Sequence, residues 1–446
     1  MPVRFEMLQR NIARARLSRP VGRVTGVGAG VLQISGLAEE AQIGDRITLR
    51  RSGRALEGEV LGIEGGVVSM LPGSAPDGVA LNDRAVLDRR PPFAPADHWI
   101  GRVIDPFGSP LDGRPLLPGE EHADILGQPC QATARGPLGE RLNTGLVVTN
   151  TLLPLTEGQR VGLFAGSGVG KSQLLAHFAR HVTAEVVVLA LIGERGREVS
   201  DFVSRVLGPE GMARAVVVAA TSDQSALTRR RCAWAAMTVA EHFRSSGRNV
   251  LFLADSMTRF AEAHREIAVA SGEAPALRGF PPSVTPLLTA LCERAGPGTA
   301  GQGYITAVFS VLVAGSDMDE PIADILRGTL DGHVVLSREI AERGRFPAID
   351  VGRSVSRSLP DAASPAENAS IIEARRLLGA YEQSEVMIKA GLHVEGTDPL
   401  LDRAVRAWPE LDAYFSREEP GSIRDSFDRL DLILRRAKGT GDRRKE

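Results

Sequence analysis

Twelve residues, 161–172, carry the clearest chemistry in the chain. Val161, Gly162, Leu163 and Phe164 form an apolar run of the kind that makes a buried strand. The loop Ala165, Gly166, Ser167, Gly168, Val169, Gly170 follows and ends in Lys171 and Ser172. Leu174, Leu175, Phe178 and Val182 then repeat at helical spacing. A strand, a glycine loop, Lys-Ser and a helix make a phosphate cradle, in which backbone N–H groups and a helix N-terminus surround a polyphosphate. In that arrangement Lys171 reaches the β- and γ-phosphates and the Ser172 hydroxyl ligates Mg²⁺. Ala165 stands where the strict pattern has glycine. Its methyl group lies at the strand end, ahead of the glycines that line the pocket. The expected ligands are a nucleoside triphosphate and Mg²⁺.

Hydrolysis needs groups that handle metal and water. The run Asn249, Val250, Leu251, Phe252, Leu253, Ala254, Asp255 places a carboxylate at the end of an apolar strand, where it can serve the metal. A second apolar strand, from Glu185, runs through Gly193 into Glu194, Arg195, Gly196, Arg197 and Glu198. Strand ends of an open parallel sheet face the ligand crevice, so a carboxylate there can polarise the attacking water. Glu194 and Glu198 both qualify by position. Arg357, after Ser354, Val355 and Ser356, is a third element; an arginine reaching a neighbouring subunit's site would stabilise charge on the transferring phosphoryl group.

These residues need elements to hold them. The chain has 446 residues, a net charge of −2, 43% hydrophobic and 24% charged residues, the composition of a globular protein with ample core. That charge disfavours a general nucleic-acid coat. Cys130, Cys232 and Cys292 have no metal-ligand spacing and point to a reducing compartment. No stretch is long and apolar enough to cross a bilayer, so a cytoplasmic location is expected. Residues 1–20 read as a basic amphipathic arm, with Phe5, Leu8 and Ile12 on one face and Arg4, Arg10, Arg14, Arg16 and Arg19 accompanying them. Residues 21–90 hold short glycine-broken segments: 21–34, 45–50, 56–63 and 65–71 each read as a strand of a small barrel. A Pro-rich linker covers 90–95. Apolar strands alternate with helical patterns over 91–360, predicting a doubly wound α/β core. Residues 361–446 read as helical, with Ile371, Ala374, Leu377, Leu378 and Tyr381 on one face and Phe427, Leu430, Ile433 and Leu434 on a last helix, before a basic tail.

Several longer segments occur together and in order: AGSGVGKS, GERGREV, LADSMTRFAEAHREIA, RGFPPSV, ERAGPG, DEPIAD, LDGHVVLSR and FPAIDVGRSVSR. In these the chain resembles the hexameric ATPases of type III secretion, relatives of the catalytic and non-catalytic subunits of rotary ATP synthases, from about residue 20 to about residue 430. The resemblance implies an N-terminal β-barrel, a RecA-like P-loop ATPase core and a C-terminal helical domain. It assigns water activation to Glu194 and the metal to Asp255. It sets Arg195 beside the γ-phosphate and Arg259 one turn beyond Asp255, makes Arg357 an arginine finger, and has Phe346 stack on adenine with Phe415 or Tyr414 as a second aromatic.

Glu194 and Arg357 share one polypeptide here, whereas in rotary synthases the two roles are divided between chains. Identical subunits can therefore complete one another's sites in a head-to-tail homohexamer. The expected partners, by resemblance, are a dimeric regulator on the N-terminal arm, a coiled-coil stalk in the pore near residues 272–279, chaperone–cargo complexes and the membrane export gate, with peripheral recruitment to the cytoplasmic membrane. Within the family the sequence leans to flagellar export, with injectisome secretion as the alternative. A rotary synthase subunit is disfavoured by the pairing of Glu194 with Arg357 on one chain. An RNA-translocating hexamer should stack bases on aromatics, and residues 21–90 contain none.

Overall fold

A computed structural model describes residues 18–438, apart from 29, 52, 53, 89–92, 314–317 and 420. The expectations for the N-terminal arm, for part of the linker and for the basic tail fall largely outside the described residues.

Six strands close a barrel: β1 (Val21–Gly28), β2 (Val31–Ser35), β3 (Arg46–Arg51), β4 (Arg54–Glu64), β5 (Val67–Pro72) and β6 (Arg84–Leu87), in the order β1-β2-β5-β4-β3-β6. Alternation along each strand sends Val24, Leu32, Ile34, Ile47, Leu49, Val60, Val68 and Met70 inward, where all are fully buried. Residues 21–34, expected as one strand, instead fold into the β1–β2 hairpin. Gly30 there takes φ +79°, a conformation glycine adopts at little cost. The sixth strand, four residues long, is too short to stand out in the sequence. The linker expectation also needs correction. Phe93 is 2% exposed and packs edge-on to Trp99 with ring centroids 5.5 Å apart, so the chain enters the core there.

The second sheet contains β7 (Arg102–Ile104), β8 (Arg160–Ala165), β9 (Val186–Glu194), β10 (Ala215–Thr221), β11 (Val250–Asp255), β12 (Gly296–Pro297), β13 (Tyr304–Leu312), β14 (Gly332–Leu336) and β15 (Ile349–Ser356). Its order is β15-β14-β8-β13-β11-β9-β10-β7, with β12 paired to β13. From β14 to β7 the path is parallel, and helices cover it. The central strands are buried on both faces, which is why they read as unbroken apolar runs rather than alternating ones. That signal marks β8, β9, β10, β11 and β13 in the sequence. It does not mark β7, β14 and the antiparallel edge strand β15, which are short or polar.

Beyond β15 come three helices: Pro365–Lys389, Pro399–Phe415 and Ile423–Ala437. Capping boxes at Ser364/Glu367 and Ser422/Asp425 start the first and last, each satisfying N–H groups that a helix end leaves unpaired. Ile371, Leu377, Leu378, Phe427, Leu430 and Leu434 join one core with the inner face of the sheet.

Candidate active site

Four adjacent strands in the order β8-β13-β11-β9 deliver Ala165, Ser310, Asp255 and Glu194 toward one rim. This is the carboxyl-end crevice where open α/β sheets bind ligands. The chain leaves β8 at Ala165, which is 1% exposed and paired with Leu312 and Leu336. Gly168 and Gly170 take φ +80° and +93°, and the helix Lys171–His181 starts on Gly170 without a side-chain cap. Its first N–H groups thus remain for an anion. Val169 is buried beneath the loop, while Ser172 is exposed at its end.

Lys171 is 9% exposed and makes a close ion pair with Asp255 Oδ1. The Glu194 Oε1 atom lies 3.9 Å from its ammonium. Ser310, fully buried in mid-strand, donates its hydroxyl to Asp255 Oδ1 at 2.7 Å. One lysine therefore faces two carboxylates. Burial first, and the negative charge of Asp255 second, push the Glu194 carboxyl up to about 7, close to the operating pH a general base requires. Ser310 was missed in the sequence, although a lone hydroxyl inside a buried apolar strand must find a partner, and that was the available signal.

Asp255 and Ser172 suit Mg²⁺ by their donor chemistry. Both present oxygen, the donor a hard cation takes, and the Asp255 carboxylate is 4% exposed with a cation already beside it. The residues fit.

The arginines fall in different places. Arg259, whose N–H is bonded to the Ser256 cap of the helix Met257–Ala270, holds Glu262 at 2.9 Å, and its stem packs beside Gly193. Arg195 has 82% of its side chain exposed and pairs with Glu198 at 3.5 Å; Glu198, the competing carboxylate, also lies against Glu194 and helps to raise its carboxyl. Arg338, not foreseen in the sequence, donates to the carbonyl of Ser167 at 3.4 Å.

Phe346 is 47% exposed, and its ring lies 3.4 Å from where a Gly170 Cβ would stand, so an open aromatic face adjoins the phosphate loop. Phe415 does not share that face. It is 2% exposed in the helical core, with the Arg345 guanidinium over its ring at 5.5 Å. Tyr414 is equally occupied, its hydroxyl bonded to Ser426 O at 2.9 Å and Thr151 Oγ1 at 3.1 Å. Neither candidate for the second aromatic, Phe415 or Tyr414, is open beside Phe346 in this structure: both rings are packed in the helical core.

Arg357 stands apart from its own phosphate loop. Leu336 pairs with Ala165, but Ser356 pairs with Gly332, at the other end of β14. Four residue steps at ~3.3 Å put about 13 Å between these positions. The Arg357 N–H bonds Asp331 O, and Asp331 grips Arg160 at the start of β8. The Arg357 side chain is exposed and donates to Arg327 O at 3.3 Å.

Residues 145–356 match the ATP synthase alpha/beta family, nucleotide-binding domain, and residues 363–431 the T3SS EscN ATPase C-terminal domain. A flagellum-specific ATP synthase from Caulobacter vibrioides is 44% identical over 93% of this chain and 95% of its own length. One from Salmonella typhimurium is 41% identical over 93% and 94%. The chain belongs to the flagellum-specific branch of the type III export ATPases. Among solved structures, the assembled ATPase EscN from the type III secretion system of enteropathogenic E. coli superposes with a TM-score of 0.85 at 34% identity, covering 93% of this chain and all of that one. EscN in complex with its central stalk EscO gives 0.83 at the same identity. This export ATPase has the expected barrel, P-loop core and helical C-terminal part. No helix among its described residues is long and apolar enough to cross a membrane.

Proposed function

We propose that this ATPase works as a ring of identical subunits in which Glu194 of one subunit and Arg357 of the next act on the same ATP, energising export of flagellar components. The observation that carries this reading is the separation of Arg357 from Lys171 along the sheet: an exposed arginine that cannot reach its own phosphate loop supports a role at a neighbour's. The related EscN, solved as an assembled ATPase, supports a ring.

In this reading the free N–H groups after Gly168 cradle the phosphates, and Lys171 turns from Asp255 toward the β- and γ-oxygens. Phe346 stacks on adenine. Ser172 and Asp255 hold Mg²⁺, which when bound with the nucleotide neutralises charge on the phosphate oxygens. Glu194 accepts a proton from the attacking water at its carboxylate, and the water oxygen bonds to the γ-phosphorus as the bond to ADP breaks; the proton then passes from Glu194 to the phosphate product. Arg259 and Arg195 flank Glu194, and the neighbour's Arg357 balances the charge of the departing phosphoryl group.

The partners we assign are a coiled-coil stalk along residues 272–279, supported by the stalk complex of EscN, a dimeric regulator on the N-terminal arm, chaperone–cargo complexes and the membrane export gate, reached from the cytoplasm by peripheral recruitment. Flagellar rather than injectisome cargo is supported by relatives named flagellum-specific at 39–44% identity, against 34% for EscN. The deciding experiment is a chromosomal Glu194→Gln replacement scored for swimming and for flagellin in the medium. Loss of both with normal growth and protein level is expected; normal swimming would overturn the reading.

A further inference from the structure

Gly193, the residue before Glu194, has φ +68°, and two arginine side chains border the space a side chain would take there. A Cβ built on it would stand 3.4 Å from Arg259 Cβ and 3.5 Å from Arg229 Cδ. Both arginines are anchored on one element, the helix Met257–Ala270 that begins beside Asp255. Arg259 belongs to that helix and holds Glu262, while Arg229, from the helix Ala226–Ser245, reaches across to Glu266. Glu262 and Glu266 are four residues apart and so share a face of the helix.

Arg229 is fixed more firmly than a surface ion pair requires. One guanidinium nitrogen donates to both Glu266 oxygens at 3.0 and 2.7 Å, and its Nε–H donates to Gln224 O at 3.1 Å. Its side chain is 14% exposed. The turn it grips through Gln224 is the one whose Ser222 N–H bonds the Glu194 carbonyl at 3.0 Å. Arg229 therefore borders the space beside Gly193 on one side of Glu194, and reaches the other side through the turn after β10.

We infer that Arg229, anchored by Glu266, is a positioning residue for Glu194, locking the strand end that carries the water-activating carboxylate to the helix that follows Asp255. This rests on the reading of Glu194 given above. A planar guanidinium can hold Glu266 and Gln224 while its stem runs alongside Gly193; a lysine has one point charge and cannot do all three. Geometry sets the scale of the effect: catalytic groups displaced by about 1 Å lose on the order of 10²-fold in rate.

The test is steady-state hydrolysis by the assembled full-length protein carrying Arg229→Ala, Arg229→Lys, Glu266→Ala, and Arg229→Ala with Glu266→Ala. Arg229→Ala should lower kcat at least 10-fold with KM for MgATP changed less than 3-fold, and Arg229→Lys should recover part of that. Glu266→Ala, at a half-exposed position that threatens folding little, should lower kcat in the same way. The double variant should be no worse than Arg229→Ala alone, because the two side chains act as one unit. Additive losses, a rise in KM at constant kcat, or wild-type turnover in Glu266→Ala would overturn the inference. Glu194→Gln assayed alongside separates the two ideas: if it still hydrolyses ATP the base assignment fails, whereas if it is dead while Glu266→Ala is fully active only the positioning role fails.

Discussion

Arg357 and Lys171 lie at opposite ends of the same sheet: Lys171 follows the end of β8, while Arg357 bonds Asp331 beside its start. The strand pairings put about 13 Å between Ser356 and the partner of Ala165, farther than an arginine side chain extends. In the reading proposed above, a single subunit holds both halves of a site that it cannot assemble alone, and a head-to-tail ring of one polypeptide removes that difficulty.

Mixing is the direct consequence. Glu194→Gln and Arg357→Ala should each reduce hydrolysis at least 10²-fold, the scale on which single charge-stabilising groups act. Rings assembled from both should regain activity through interfaces that pair an intact Glu194 with an intact Arg357. Turnover by mixed rings, with subunit exchange verified by native mass spectrometry, is the measurement; no recovery in verified mixed rings would exclude Arg357 from the neighbour's site.

The raised pKa of Glu194 sets a pH dependence. The carboxyl must be ionised to act as a base, and in the free enzyme it titrates at about 7, so kcat/KM should climb as pH rises through 7. A flat profile from pH 6 to 8 would contradict this.

The same group acts on stability with the opposite sign. Because its folded pKa exceeds the ordinary glutamate value of 4.5, the folded state binds more protons between about 4.5 and 7, and stability falls as pH rises through that window. Glu194→Gln should therefore melt higher than the wild type at pH 8, with the gap closing toward pH 4.5. Differential scanning calorimetry of nucleotide-free protein reads this directly.

Two phenylalanines near one another in function by resemblance should behave differently. Phe346→Ala should leave the melting temperature nearly unchanged and weaken ATP binding by about 1–3 kcal/mol, the scale of base–aromatic stacking. Phe415→Ala empties a core position and should cost about 3–5 kcal/mol of stability. Denaturant unfolding and nucleotide titration distinguish the two.

Ser310→Ala should lower kcat about 10-fold without unfolding the protein. It removes one neutral donor to a buried carboxylate, worth roughly 1.5–3 kcal/mol, from an oxygen that Lys171 must release for the phosphates. Unchanged kcat would show that Asp255 needs no hydroxyl donor during turnover.

The residues assigned to phosphate and metal were legible in the sequence because their constraints are local. Gly168 and Gly170 need positive φ, Lys171 and Ser172 follow at fixed offsets, and Asp255 and Glu194 close apolar runs that fill both faces of a strand. The three-part architecture was legible for the same reason, since barrel, parallel sheet and helices differ in hydrophobic period. Tertiary structure alone decided what depends on neighbours distant in sequence. The strand order brings Ser310 to Asp255, packing sends Phe415 into the helical core and leaves Phe346 open, and antiparallel pairing of β15 carries Arg357 to the far rim. Arg229 and Glu266 belong with these: 37 residues apart, they pair only because the sheet lays β10, β9 and β11 side by side. Period and spacing report which face a residue takes, but not which strand lies next to it.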